Sequence, residues 1–163
     1  IGRNQGDKMP QMNKGGKFIF GFSSVNVNSV IHLPPMAVNE YRIAKEGKVI
    51  IVTGSKTTGG FVVTRKGLLT GSKIGDILIE NPELNDYIIE EGKFIHYKGR
   101  GYCWCAISKD GTLRLSQEMM DTLELKKGLK LLSIRSSDIA FTMGVRGPLL
   151  DKAHEYRGKI QVF

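Results

Sequence analysis

The chain has 163 residues, 40% of them hydrophobic and 25% charged, a balance typical of one globular domain or two very small ones. Its formal net charge is +8; residues 1–17 hold four basic residues against Asp7, a net of +3, which leaves about +5 for the remainder. No apolar run approaches the roughly 18 residues of a membrane span, so we predict no membrane partner. The mild basic excess fits a nucleic-acid or acidic partner without requiring one.

The chain opens with a polar stretch, "IGRNQGDKMPQMNKGGK", that we expect to lie outside the fold. Residues 1–17 are interpreted as an expression remnant, a processed end or a flexible N-terminus. The first convincing core segment is "FIFGF", which begins at Phe18.

A strand–helix–strand unit is predicted next, within "SVIHLPPMAVNEYRIAKEGKVIIV". Ile31 and Leu33 alternate as in a strand, and Pro34-Pro35 suits the first turn of a helix. The glycine-rich "TGSKTTGGF" that follows lacks the lysine of a Walker loop. We predict a hairpin connection there, with Lys56 as a candidate anion contact.

A polar connecting segment, "TGSKIGDILIENPELNDYIIEEG", comes next, and its acidic residues indicate a solvated helix face. It leads into "KFIHYKGRGYCWCAI", a predicted strand pair. Cys103 and Cys105 share one face of that strand, too close for a strain-free disulfide, and a zinc site would need two further ligands. We predict buried reduced thiols, no metal and a cytoplasmic location.

The stretch "ISKDGTLRLSQEMMDTLELKKGLKLLSIRSSD" predicts a second strand–helix–strand unit. Asp110-Gly111 is a turn signal, and "TLRLS" alternates as a strand. Ser116 suits a helix N-cap, and Gly128 marks the helix exit or the following turn. "LKLLSIR" and "IAFTMGV" are predicted strands, ended by Pro148.

The two units match when the second is shifted back 82 positions. Leu113 and Leu115 then fall on Ile31 and Leu33, and the strand "KLLSI" falls on "KVIIV". A one-residue slip would turn a strand inside out, so the shared phase through three elements predicts an internal duplication. Two unrelated units of ordinary patterning are the alternative.

The second unit resembles the swapped-hairpin repeat of the AbrB/MazE/SpoVT family, and the first unit resembles it more faintly. The matching positions of the second unit are Gly111, Leu113, Leu115, Leu123, Leu125, Gly128, Lys130 and Leu132. Ser116 and Glu124 depart from the family's proline and glycine. The resemblance implies a mainly β protein, a swapped-hairpin barrel built from two repeats with short helices, at residues 18–70 and at 101–163 with the C-terminal tail, joined by 71–100. One chain would then act as a pseudo-dimeric monomer, or pair as a homodimer.

That family implies a DNA-binding transcriptional regulator with double-stranded DNA as its partner, but its arginine positions fall here on residues that are not basic. They are Cys105, Thr112, Met120 and Asp121. The second unit offers other cations as candidate DNA contacts: Lys109, Arg114, Lys126, Lys127, Lys130 and Arg135. Only two of their six counterparts in the first unit, Lys45 and Lys48, are basic, which predicts a lopsided basic face, unless all of these are simply solvated cations.

Arg65 and Arg146 fall at equivalent strand ends, as candidate anion contacts or as covers for apolar surface. No catalytic constellation can be assembled, so we predict no enzyme and no cofactor. The alternative to DNA binding is a barrel module that binds a protein or a small ligand.

Overall fold

The computed structural model describes residues 18–156 and 158–163, so the N-terminal segment 1–17 lies outside the described residues. Within them the fold is mainly β, with nine strands and six short helices. The strands are β1 (Ile19–Ser24), β2 (Val30–His32), β3 (Lys48–Thr53), β4 (Phe61–Thr64), β5 (Ile95–Tyr97), β6 (Arg100–Ala106), β7 (Thr112–Arg114), β8 (Lys130–Arg135) and β9 (Phe141–Gly144). The helices are α1 (Pro35–Tyr41), α2 (Lys66–Leu69), α3 (Asp76–Glu80), α4 (Pro82–Asn85), α5 (Gln117–Thr122) and α6 (Pro148–Glu155).

Seven strands form one antiparallel sheet in the order β1-β8-β9-β4-β3-β6-β5, and β2 pairs with β7 separately. Strands of the first unit pair with strands of the second: β1 with β8, β3 with β6, and β4 with β9. Each of the first six strands has a counterpart 80 to 82 residues away in the sequence. When every strand is replaced by its counterpart, the same order results, read from the opposite edge. Among the described residues the pairing is open, ending at β1 and β5, so closure into a barrel stays a prediction.

The registers obey the same exchange. Ser24 pairs with Lys130, and their counterparts Ala106 and Lys48 also pair. Ile31 pairs with Leu113, its own counterpart, at the centre of the β2–β7 ladder. The pairing pattern is therefore two-fold across the two units.

The main core lies between the two units and takes side chains from both. Its largest fully buried members include Phe61, Phe141, Ile31 and Leu113. Smaller clusters cover the outer face of the sheet. One packs β3 against α3 and α4, and the other packs β8 against α6. Ile50 and Leu132, which are 82 residues apart, occupy the same place in these two clusters.

Local predictions from the sequence are confirmed at several points. Pro34 precedes α1 without a side-chain cap, whereas the Ser116 hydroxyl accepts a hydrogen bond from the Met119 amide at 3.2 Å at the start of α5. Cys103 and Cys105 are buried free thiols, and burial raises the pKa of the Cys105 thiol to about 12. None of the helices in the described part of the chain is long and apolar enough to cross a membrane.

Candidate nucleic-acid interface

The six candidate cations of the second unit do not form one strip. Lys126 and Lys127 follow α5 and stand beside the β1–β2 turn, because the Gly128 amide donates to the Val25 carbonyl at 2.7 Å. Lys130 opens β8 at the same end, with its ammonium 5.7 Å from the centre of the Phe22 ring. Together these three lysines form one exposed group.

Arg135 ends β8, so it lies roughly 17 Å along that strand from the lysines. Its guanidinium pairs with both carboxylate oxygens of Glu40, at 2.5 and 2.6 Å, and stands 4.7 Å from the centre of the Phe18 ring. The hydrogen bond to Glu40 raises the pKa of Arg135. This arginine therefore connects the second unit to the first. Because its charge is already paired with Glu40, it is poorly placed to bind a phosphate.

Lys109 and Arg114 flank the β6–β7 hairpin. The turn of that hairpin lies against α1 of the first unit, where a Cβ on Gly111 would come within 2.5 Å of Val38. The Leu33 amide also donates to the Gly111 carbonyl at 2.9 Å. The contact brings Lys109 to the helix of the other unit, whereas Arg114 lines a separate groove.

A cleft of about 470 Å³ opens at that contact, and we call it the basic cleft. Its lining residues are Val38, Asn39, Arg42, Ala44, Lys45 and Lys109. Arg42 is the left-handed residue that ends α1, with φ 48°. Three cations from two units therefore line the cleft with no acidic side chain among the lining residues.

The equivalent surface around α5 has mixed charge. Exchange by 82 residues replaces Arg42 with Glu124 and Asn39 with Asp121, while Lys127 takes the place of Lys45. Val27, 75% exposed, stands where Lys109 stands on the other side. The basic excess predicted for the second unit is thus diluted by acids, and the acid-free group lies against the first unit's helix.

Sequence reasoning missed Arg42. The signal was present in "NEYRIAKEGK", where Arg42 and Lys45 close a helix, but it gains meaning only when Lys109 of the distant unit is placed beside them. A contact between segments this far apart in the sequence cannot be seen in local spacing.

At the four positions where the resemblance predicted arginines, the residues present are either buried or bonded to local partners. Cys105 and Met120 are buried in the core, where a cation would be desolvated. Thr112 donates to the Asp110 carboxylate at 2.9 Å, and Asp121 accepts from Gln117 at 2.8 Å. Hydrogen bonds from Ser108 and Thr112 lower the pKa of Asp110, which keeps that turn carboxylate charged.

The three candidate anion contacts fall in two places. Arg65 is nearly buried, pairs with Glu46 at 2.7 Å and donates to the Tyr41 carbonyl at 3.1 Å. Lys56 and Arg146 meet instead, because the Arg146 Nε donates to the Lys56 carbonyl at 3.0 Å. Arg65 thus holds the first unit together, and the other two share a hollow at the β3–β4 loop.

Among residues 18–156 and 158–163, no three His, Cys, Asp or Glu side chains are grouped to hold a metal ion. No family model matches the chain, and a search of curated proteins also finds no match. Function is therefore inferred from the chain's own residues, among which the basic cleft combines cations of both units with no acidic lining residue.

Proposed function

We propose that the protein is a non-enzymatic, DNA-binding transcriptional regulator, built as a duplicated swapped-hairpin barrel of the AbrB/MazE/SpoVT kind. The duplex is contacted mainly through the basic cleft, so the contact is one-sided. The buried free thiols Cys103 and Cys105 favour a reducing, cytoplasmic setting.

The pairing pattern supports the duplicated fold. Strands β1 and β6 each leave their own unit to pair with the other, and corresponding residues pair in the same register. A single chain holding both halves avoids the entropy that two separate chains lose on association, which favours a pseudo-dimeric monomer. Closing the barrel would require β1 and β6 to approach the β2–β7 pair, and contacts β1–β2 and β6–β7 support that arrangement.

The acid-free basic cleft is the observation that carries the proposed function. Phosphate contacts by Lys and Arg release counterions from DNA and provide most of the affinity for an arbitrary duplex. The three cations belong to a helix end (Arg42, Lys45) and a tight turn (Lys109). Their backbone is therefore held in place while their charged groups remain in solvent. Such a group positions a phosphate backbone without reading base sequence.

The test is fluorescence anisotropy on a labelled duplex of arbitrary sequence across a range of salt concentrations. Three phosphate contacts predict a slope of log K against log salt of roughly −3. The variant Arg42→Gln/Lys45→Gln/Lys109→Gln should lose most of that slope. All three side chains are at the surface, so the fold should survive.

A matched control replaces three cations outside the cleft, Lys93→Gln/Arg100→Gln/Lys152→Gln, and should leave the slope nearly unchanged. Absence of binding at micromolar protein in about 50 mM salt would refute the proposal, since electrostatic affinity is greatest at low salt. An equal loss of salt slope in the control and cleft variants would show that the basic cleft is not the DNA-binding surface.

Protein binding is the second candidate, and the connecting segment favours it. Residues 71–92 carry six acidic residues and one lysine. On this segment Ile79 and Ile88 are 76% and 75% exposed. Exposed apolar residues among like charges suit a basic, amphipathic partner segment. An Ile79→Lys/Ile88→Lys variant that loses capture of a synthetic basic amphipathic peptide, while DNA binding persists, would support it.

A further inference from the structure

The loop between β3 and β4, residues 54–60, contains three glycines, and we call it the glycine loop. Close packing explains why glycine stands at two of these positions. The Gly54 amide donates to the Gly60 carbonyl at 3.0 Å and closes the loop. A Cβ on Gly54 would lie 1.9 Å from the Gly59 carbonyl oxygen, so no larger residue fits there. Gly59 adopts φ +61°, a conformation that favours glycine.

Arg146, at the end of β9, is held over this loop. A Cβ on Gly59 would lie 2.8 Å from Nη1 of Arg146, so glycine at position 59 makes room for the guanidinium. The Arg146 Nε donates to the Lys56 carbonyl at 3.0 Å, and its amide donates to the Thr58 carbonyl at 3.1 Å. These contacts orient the guanidinium along the wall of a hollow of about 240 Å³.

The glycine loop also presents backbone donors. The amides of Ser55, Lys56 and Thr57 have no hydrogen-bond partner among the described residues. Successive free N–H groups in a tight loop form a concave anion-binding surface. Lys56 and Arg146 add two cations to it, and neither forms an ion pair within the described part of the chain.

The counterpart loop of the second unit, residues 136–140, lacks the two cations of the glycine loop and Arg146. It is two residues shorter, contains Asp138 and no cation, and its Ser137 carbonyl accepts a hydrogen bond from Tyr41 at 2.6 Å. The pairing of a glycine-rich loop with two cations is therefore confined to one half of the molecule. Glu124 also lines the hollow beside the glycine loop, so a polyanion larger than one phosphoryl group meets a like charge there.

We propose that the glycine loop and Arg146 bind the phosphoryl group of a small molecule, at a site separate from the basic cleft. The free amides would receive the phosphoryl oxygens, and the two cations would balance their charge. This site does not depend on DNA binding, because its lining residues and those of the basic cleft do not overlap.

The test is an NMR titration of the ¹⁵N-labelled chain with inorganic phosphate and with pyrophosphate, at constant ionic strength. The amides of residues 55–57 should shift and saturate with a millimolar dissociation constant. Lys56→Gln should weaken binding by about tenfold, because it removes a charge-assisted hydrogen bond but leaves the carbonyl that holds Arg146. Arg146→Lys, which keeps the charge but loses the planar fork, should weaken it as well.

Lys152→Gln and Arg100→Gln are the matched controls, and each should leave the dissociation constant within twofold. The proposal is overturned if residues 55–57 do not shift below about 20 mM phosphate, since a weaker interaction would be non-specific. It is also overturned if Lys56→Gln binds like the wild type. If a short duplex shifts the same amides as strongly as pyrophosphate does, the site belongs to nucleic acid and the small-molecule assignment fails.

Discussion

Arg42 and Glu124 stand at the same place in the two units and differ in charge. They are 82 residues apart, each follows a short helix, and their φ angles are 48° and 57°. The backbone there is shared because both helices must return the chain to buried strands of matching register. Solvent-exposed side chains are under no such constraint, so one half carries a basic cleft and the other a mixed surface.

The outer face of the sheet differs in the same way. The positions around Ile50 are covered by α3 and α4, and those around Leu132 by α6. The sheet ends are also protected by different means. β5 pairs with β6, whereas the Phe22 amide at the opposite end donates to the Gln161 carbonyl at 2.8 Å. The two halves thus share the same strand pairing but differ in the helices and chain segments that pack on the sheet and along its edges.

The central β2–β7 pair offers the largest expected effect. Ile31→Ala and Leu113→Ala should each cost about 2–5 kcal/mol of unfolding free energy, since both side chains are fully buried in one shared core. The costs should be similar because the two residues face each other across the ladder. Urea unfolding followed by Trp104 fluorescence and by far-UV circular dichroism should show one coincident transition. Two separate transitions would mean that the units fold independently.

The second largest effect is expected at the strand-end arginines, Arg65 and Arg146, whose removal should cost different amounts of unfolding free energy. Arg65→Met leaves the Tyr41 carbonyl unpaired and the Glu46 carboxylate with only the Gly67 amide as its partner, and should cost about 2–4 kcal/mol. Arg146→Met, at an exposed side chain with one hydrogen bond to Lys56, should cost about 1 kcal/mol. Thermal unfolding of both variants measures the gap, and equal costs would contradict the different packing of the two sites.

Charge changes at Arg42 and at its counterpart Glu124 should have a smaller effect, seen in DNA binding and not in stability. Arg42→Gln should lower the salt slope of binding by about 1, because it removes one phosphate contact, whereas Glu124→Arg should leave the slope nearly unchanged, because the duplex is contacted from the α1 side. Anisotropy titrations at several salt concentrations check both, with Arg100→Gln as the control. A slope raised by about 1 in Glu124→Arg would show instead that the α5 side also approaches the duplex.

Tyr41 and its counterpart Leu123 offer the smallest effect. Burial and the charge of Glu40 raise the pKa of Tyr41 from 10.0 to about 12. Between these values the folded chain keeps a proton that the unfolded chain loses, so rising pH favours unfolding. Tyr41→Phe should cost about 1 kcal/mol near neutral pH through the lost bond to Ser137.

The same variant should also lose less stability than the wild type between pH about 9 and about 11. Urea midpoints at the two pH values, measured for the variant and the wild type in parallel, check this difference. Parallel losses in Tyr41→Phe and the wild type would assign the alkaline sensitivity to other groups.

Much of the fold was predictable because periodicity and turn residues act locally. The alternation in "TLRLS" predicted β7, Ser116 predicted the start of α5, and the 82-residue shift predicted that β3 and β8 are equivalent. The candidate site was predicted only in part. Lys109 was expected at an interface, but Arg42 was not, and Arg135 proved to be engaged with Glu40.

The order of apolar and polar residues along the chain determined most strands and helices, since each depends on near neighbours in the sequence. Which strands pair across the units, and which cations meet at α1 or at the glycine loop, was decided only by the tertiary structure. The physical reason is that Arg42 and Lys109, like Lys56 and Arg146, are far apart in sequence, and no local pattern records a contact created when β1 and β6 pair with strands of the opposite unit.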